Sequence, residues 1–81
     1  MAQEGDLRAW HIQNVPNYPQ FRGVASAEEA VRWLNLQAER DLHNPLVHSN
    51  AQGLEVFEDG EWSEWYDDEG RDVAELIAER T

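Results

Sequence analysis

The sequence predicts a small α+β fold, in which a sheet of three or four antiparallel or mixed strands is packed by one long helix. Three observations lead to this class. Asp59-Gly60 separates two aromatic-rich runs, which is the strongest short-range signal of a β-hairpin. A helical apolar period follows the N-cap signature at Ser26. The 81 residues include no cysteine, so a single domain spanning 1–81 without disulfides is expected.

Residues 7–15 predict the first strand. By period two, Trp10 and Ile12 fall on one face, and Ala9 and His11 fall on the other. A sheet with chemically different faces is therefore expected from the start of the chain.

Residues 14–23 predict a loop, because Pro16 and Pro19 lack a backbone donor and hold the preceding residues extended. The loop carries Tyr18 and Phe21, which are expected to close one end of the core rather than to bind a ligand. Residues 1–6, before the first strand, show no pattern and are expected to be disordered.

Residues 26–42 predict the long helix. Ser26 is placed to accept from the amide of Glu29, whose carboxylate reaches back toward the N-cap. An apolar stripe at helical spacing should lie on the sheet, and it comprises Ala27, Ala30, Val31, Leu34, Ala38 and Leu42.

Trp33 and Leu36 do not belong to that stripe and are predicted to lie on the opposite flank, near Arg40. Either a loop folds over them or they form a contact with a second copy or another protein. Trp and Arg are enriched among interface hot spots. Trp33, Leu36 and Arg40 are thus the candidates for self-association as a homodimer.

The second half of the chain predicts a short strand at 46–48, a turn at 50–53 and then the hairpin from 54 to about 66. A further turn at 67–71 has Gly70 at its positive-φ position. Asp72 can cap a short final helix, Val73 to about Arg80. The predicted order of elements is β-α-β-β-β-α.

The net charge of −11 arises from 17 acidic residues against six arginines, with no lysine. Such a chain is repelled by nucleic acid and by anionic lipid and is attracted to basic proteins. The alternative is that acidity serves only solubility. No apolar run is long enough to span a membrane, and the N-terminus is no signal peptide, so a cytoplasmic location is expected.

No catalytic motif is present. The sequence has no cysteine nucleophile, no Gly-x-Ser-x-Gly elbow and no phosphate-binding glycine loop. His11, His43 and His48 lack the spacing of a zinc site, and the acidic run at 67–72 lacks that of a calcium loop. We therefore expect neither an enzyme nor a bound metal or cofactor.

Eleven of the 17 acids fall between Glu55 and Glu79. Carboxylates two residues apart on a strand are separated by about 6.6 Å, similar to neighbouring phosphates of a nucleic acid. A partner-binding surface is thus predicted on the hairpin, from Glu58, Asp59, Glu61, Trp62, Glu64, Trp65, Asp67 and Asp68. The alternative is a solvated sheet edge whose charges prevent aggregation.

A small-molecule site is the further alternative, because Trp and Arg side chains together can stack a base and hold a phosphate. The available residues are Trp10, Trp33, Trp62, Trp65, Arg8, Arg22 and Arg71. In so short a chain, such a pocket is expected between subunits.

The hairpin resembles a segment of small acidic proteins encoded by bacteriophages and prophages. The similarity spans most of the chain from Trp10 onward and is carried by the helix start at 26–30 and by four segments: NAQGLEV at 50–56, EDGEW at 58–62, EWYD at 64–67 and EGRD at 69–72. This resemblance transfers no known activity and no functional residue.

A phage setting does imply a class of function by analogy. Small acidic phage proteins act by blocking bacterial immune components, as anti-CRISPR and antirestriction proteins do. We accordingly expect a non-catalytic inhibitor that occupies a basic nucleic-acid-binding surface of a host protein. The alternatives are an oligomeric sponge for a cyclic nucleotide signal and a structural or regulatory phage protein.

Overall fold

The four strands and two helices of the chain form an α+β fold, as the sequence predicts. The structure is a computed structural model and describes residues 2–13, 19–43 and 50–80. The elements are β1 Leu7–Gln13, β2 Gln20–Val24, α1 Ala27–Leu42, β3 Asn50–Glu58, β4 Glu61–Glu64 and α2 Val73–Arg80.

The sheet is antiparallel throughout, in the order β2-β1-β3-β4. In the register of its two central strands, β1 and β3, Ala9 lies opposite Leu54 and His11 opposite Gln52. The pairing continues before β1, where the amide of Gly5 donates to the carbonyl of Phe57 at 2.8 Å. The predicted disorder of residues 1–6 concerns motion and stays a prediction.

Both helices pack on one face of the sheet, which we call the covered face. Ala9 of β1 and Leu54 of β3 are buried there against Leu34 of α1. The remaining buried members of this core are Ala30, Val31, Val73 and Leu76. Within the described residues, neither helix is long and apolar enough to cross a membrane.

Local signals in the sequence correctly predicted the two helix caps. Ser26 Oγ accepts from the amide of Glu29 at 3.2 Å, and the Glu29 carboxylate reaches the Ala25 amide. Asp72 caps α2 through the amide of Glu75 at 2.9 Å.

The hairpin turn has the positive φ angles of a type I′ turn, 54° at Asp59 and 81° at Gly60. The next turn places Gly70 at φ 80°. Both positions are those that the sequence predicts, because each turn depends on residues adjacent in the chain.

Two predictions about strands were wrong. Residues 20–23, predicted as part of a loop, belong to edge strand β2, and residues 50–53, predicted as a turn, begin β3. Both segments are extended because they pair with β1, a contact that local sequence does not encode. The strand predicted at 46–48, together with Tyr18 and Pro16, lies outside the described residues.

The predicted helix stripe needs correction at its C-terminal end. Leu42 is 85% exposed, and Asp41 is buried in its place. At about 100° per residue, Asp41 lies only about 20° from Leu34, whereas Leu42 is turned about 80° from it. The helix therefore presents a carboxylate to the sheet at the position where a leucine was expected.

The predicted position of Trp33 on the flank of α1 away from the core was also wrong. It is partly buried and packs against the core, whereas Leu36 is 57% exposed as predicted. Trp33 borders the stripe about 60° from Ala30, and from there its large ring reaches the core. A loop or second subunit is thus not required to cover Trp33.

Candidate functional site

The face of the sheet opposite the helices, which we call the open face, carries a group of aromatic side chains that are partly or largely exposed. Period two places Arg8, Trp10 and Ile12 there, while Ala9 and His11 are buried on the covered face. Cross-strand pairing adds further side chains to the open face: Phe21 of β2, Glu55 and Phe57 of β3, and Trp62 and Glu64 of β4.

Arg8 organises this face. Its guanidinium carbon lies 4.3 Å from the centroid of the Phe21 ring and 4.2 Å from that of Trp62. Its Nε donates to Oε1 of Glu55 at 2.8 Å. We call this arrangement of Phe21, Arg8, Trp62 and Glu55 the Arg8 clamp. Each cation–π contact contributes about 0.5–1 kcal/mol at an exposed site, and the carboxylate neutralises the arginine.

Two further aromatic contacts fix the surroundings of the clamp. Phe57 meets Trp62 edge to face, with ring centroids 5.3 Å apart. The Trp10 indole lies directly over the backbone of Gly53, where a Cβ would stand 2.3 Å from its Nε1. Gly53 is therefore the residue that lets Trp10 lie flat on the sheet.

Two depressions flank the clamp. The larger one, about 650 Å³, lies between Phe21, Trp62 and the segment before β1, and Asp6 and Gly23 contribute to its lining. The smaller, about 180 Å³, includes Trp10, Ile12 and Pro19. Phe21 is 52% exposed between them. The open face thus offers aromatic and polar groups together with space for a ligand or a partner side chain.

The hairpin tip is acidic, but its Glu58 and Glu61 side chains lie on the side of the sheet opposite the Arg8 clamp, because period two places them with Val56 and Ser63. Glu58 and Glu61 are cross-strand partners, and both are exposed. Glu4 adds a third carboxylate, which accepts from the amide of Asp59 at 3.0 Å. Within residues 2–13, 19–43 and 50–80, neither Glu58 nor Glu61 forms an ion pair. These carboxylates are available to a cationic partner.

Asp67 has a structural role. It accepts from the amide of Arg71 at 2.8 Å, from the amide of Glu69 at 2.9 Å and from Arg71 Nε at 2.8 Å. These hydrogen bonds, led by that from the Arg71 amide, and the Arg71 charge lower the pKa of Asp67 below its ordinary value. Arg71 also reaches Glu79 of α2. The predicted binding residue Asp67 therefore holds the turn that leads into α2.

The other residues predicted to bind a partner or a second copy differ in their surroundings. Trp62 lies in the Arg8 clamp, whereas Trp65 packs against the core. Glu64 accepts from the Tyr66 hydroxyl at 3.1 Å, and this carboxylate raises the pKa of the tyrosine. Asp59 and Asp68 are exposed. On α1, Leu36 and Arg40 are exposed, and their role in self-association stays a prediction.

A buried polar network joins β1, β3 and α1 on the covered face. His11 Nε2 lies 2.7 Å from Oδ2 of Asp41, and Nε2 of Gln52 lies 3.0 Å from His11 Nδ1 and donates to the Leu34 carbonyl at 2.8 Å. His11 is 1% and Asp41 7% exposed. The pair resembles a catalytic one in composition, but a substrate cannot reach it. Its geometry fits a role in fixing the helix on the sheet.

Comparison with known proteins identifies a relative encoded by a phage. The superinfection exclusion protein of Salmonella phage P22 is 33% identical to this chain over an alignment that covers 74% of this chain and 76% of that protein. This chain belongs to the family of that phage protein. The expected similarity to small phage-encoded proteins is confirmed by this relative. No family model and no solved structure matches the chain.

For this member of the phage family, the binding role of Trp62 stays a prediction, and reading the sequence did not bring Phe21, Arg8 and Glu55 together with Trp62 as parts of one site. Phe21 was assigned to closing the core, because its strand was taken for a loop. The alternation around Trp10 in β1 was the available signal, since it separates an aromatic face from a face of small residues.

Proposed function

We propose that this chain acts as a superinfection exclusion protein and does so by binding rather than by catalysis. The relative from phage P22 is described as a superinfection exclusion protein, and the similarity covers about three quarters of both chains. On this proposal the chain, made in the host cytoplasm, interferes with a component that a second infection requires.

Binding is favoured over catalysis because the one histidine–carboxylate pair in the described part of the chain is buried. His11 and Asp41 are sealed between α1 and the sheet, so neither can exchange a proton with a substrate. The exposed acids of the hairpin carry no partner that would activate a nucleophile.

The observation that carries the proposal is the acidic hairpin tip. Glu58 and Glu61 project from β3 and β4 without an ion pair in the described structure, on the side of the sheet opposite Trp62. In a chain of net charge −11, such a surface attracts a basic protein and repels nucleic acid directly. A partner that itself binds DNA or RNA, such as a restriction or CRISPR complex, has the required basic surface.

Infection assays test the proposal. Cells producing the wild-type protein are expected to reduce plaque formation by a challenge phage, and the double variant Glu58→Gln/Glu61→Gln is expected to lose that protection. The matched control is Glu28→Gln/Glu39→Gln, which removes the same charge from exposed positions on α1. Asp67 is left intact, because its replacement would disturb the fold.

The outcomes of these assays are distinct. Equal loss of protection in both double variants would show that net charge alone matters and would contradict a role for the hairpin. Absence of protection by the wild-type protein against a panel of related phages would contradict the exclusion function itself.

The predicted alternatives are tested separately. A sponge for cyclic nucleotides requires thermal stabilisation by the nucleotide, since a ligand that binds only the native state raises its stability. The Arg8 guanidinium is already paired with Glu55, so a phosphate would have to displace that carboxylate. A structural or regulatory phage protein predicts no protection of cells in which it is produced alone.

A further inference from the structure

The charge of the open face limits which classes of partner can bind there. Arg8 is neutralised by Glu55, while Asp6 lines the larger depression and Glu64 lies exposed on the same face. The chain carries a net charge of −11. Long-range repulsion therefore disfavours nucleic acid on this surface and also disfavours a second copy of the chain.

The shape of the open face favours a partner that also presents an apolar side chain. The depression of about 650 Å³ lies beside the rings of Phe21 and Trp62, and Phe21 is 52% exposed there. Groups of exposed aromatic side chains rimmed by polar residues are typical of protein interaction sites. A purely cationic ligand would leave these rings in water.

From charge and shape together, we propose that the open face docks a basic polypeptide segment of the partner protein. An apolar side chain of the segment enters the depression beside the Arg8 clamp, and its arginine or lysine side chains face Asp6 and Glu64. This inference rests on the proposed binding function and deepens it. It moves the centre of the contact from the hairpin tip to the sheet face.

Peptide binding tests the inference directly. The probe is a fluorescein-labelled peptide of alternating arginine and leucine, measured by fluorescence anisotropy with the full-length protein. An arginine-only peptide, a peptide of alternating glutamine and leucine, and a single-stranded DNA are the comparison ligands. We expect the arginine–leucine peptide to bind most tightly, because only it supplies both charge and apolar surface.

Two substitutions separate the apolar from the electrostatic part. Phe21→Ala should weaken binding of the arginine–leucine peptide about tenfold, the effect of an interface hot spot. Its matched control is Leu36→Ala, which removes an equally exposed apolar side chain from α1, on the other side of the molecule, and should change the affinity by less than about twofold.

Gly23 offers a charge test that does not disturb packing. It pairs with Arg8 across β1 and β2, and a Cβ added there meets no atom within 4 Å. Because Gly23 lines the depression, both Gly23→Glu and Gly23→Arg place a long side chain there, and the test of charge is the difference between them: the arginine–leucine peptide should bind Gly23→Glu more tightly than Gly23→Arg. Circular dichroism of both variants checks that they remain folded.

Several results would overturn the inference: equal affinity for the arginine-only peptide, tighter binding of DNA, or no response to Phe21→Ala and to the Gly23 pair. A dimer in analytical ultracentrifugation that Phe21→Ala dissociates would assign the face to self-association instead. If Phe21→Ala cells keep protection that Glu58→Gln/Glu61→Gln cells lose, this inference fails while the proposed function stands. If wild-type cells have no protection, the proposed function fails independently of the peptide data.

Discussion

The two faces of the sheet differ in role: the covered face holds the core, and the open face is the candidate binding surface. Adjacent residues of β1 show this difference most clearly. Ala9 is fully buried under the helices, whereas its neighbour Arg8 lies on the open face between two aromatic rings. The four tryptophans divide in the same way. Trp33 and Trp65 pack against the core, and Trp10 and Trp62 lie on the open face.

The difference shows that aromatic content alone does not locate a binding surface. The hairpin contains Trp62 and Trp65, three residues apart, yet one lies in the Arg8 clamp and the other supports the core. Because successive side chains of a strand point to opposite faces, a spacing of three residues puts the two rings on opposite sides of the sheet. The Trp65 amide still donates to the Leu54 carbonyl at 3.0 Å, so the chain remains paired with β3 at this residue.

The largest expected effect belongs to the covered face. Leu34→Ala should lower the free energy of unfolding by about 2–5 kcal/mol, because it opens a cavity in a fully buried site. Leu36→Ala, the same change at an exposed site on the same helix, should cost less than about 0.5 kcal/mol. Urea denaturation of both variants measures the contrast, and similar values would contradict the assigned helix orientation.

The buried polar network should contribute less than the apolar core. Asp41→Ala leaves the His11 ring without its carboxylate partner in a site closed to water, which costs about 1–3 kcal/mol. The control is Glu39→Ala on the exposed side of α1. If urea denaturation gives equal values for the two variants, the network does not stabilise the fold.

Gly53 lies on the open face, but its role is structural rather than in binding. Gly53→Ala should destabilise by about 1–3 kcal/mol, because the new methyl group would overlap the Trp10 indole. In a Trp10→Ala background most of that cost should disappear. A double-mutant cycle from urea denaturation measures the coupling, and a cost that is independent of Trp10 would contradict the stacking of the indole on this glycine.

The smallest effect is expected at the turn after the hairpin, outside both faces. The lowered pKa of Asp67 means that its ionised form stabilises the fold. That stability is fully present above the ordinary pKa of 3.8 and is lost as pH falls through the lower pKa of the folded state. The urea midpoints of wild type and Asp67→Asn should therefore differ at neutral pH and converge in acid.

Asp68→Asn is the control for this pH dependence, because its exposed side chain makes no hydrogen bond in the described structure. It should follow the wild-type profile at every pH. A pH-independent difference between wild type and Asp67→Asn would mean that the Asp67 charge has no part in holding the turn.

Sequence patterns predicted the parts of this fold that depend on near neighbours in the chain. The Ser26 and Asp72 caps and the Asp59-Gly60 turn belong to that class. They did not predict β2, whose five residues carry no apolar alternation and are extended only because β1 pairs with them.

The same limit applies to the candidate site. Arg8, Phe21, Glu55 and Trp62 lie on four different strands, one on each, so only the strand order brings them together. The sequence predicts a partner-binding role for the acids of the hairpin and for Trp62, and this stays a prediction. It also offers Arg8 as a candidate for a small-molecule site, but it does not show that Arg8 contacts the Trp62 ring, because residues 8 and 62 meet only in the folded sheet.

The most direct test of the difference between the two faces is the indole N–H signals of the four tryptophans, recorded by NMR with and without the arginine–leucine peptide. The account predicts that Trp10 and Trp62 shift on addition of the peptide, while Trp33 and Trp65 stay in place. Shifts confined to Trp33 and Trp65, or no shift at a saturating concentration of the peptide, would contradict it.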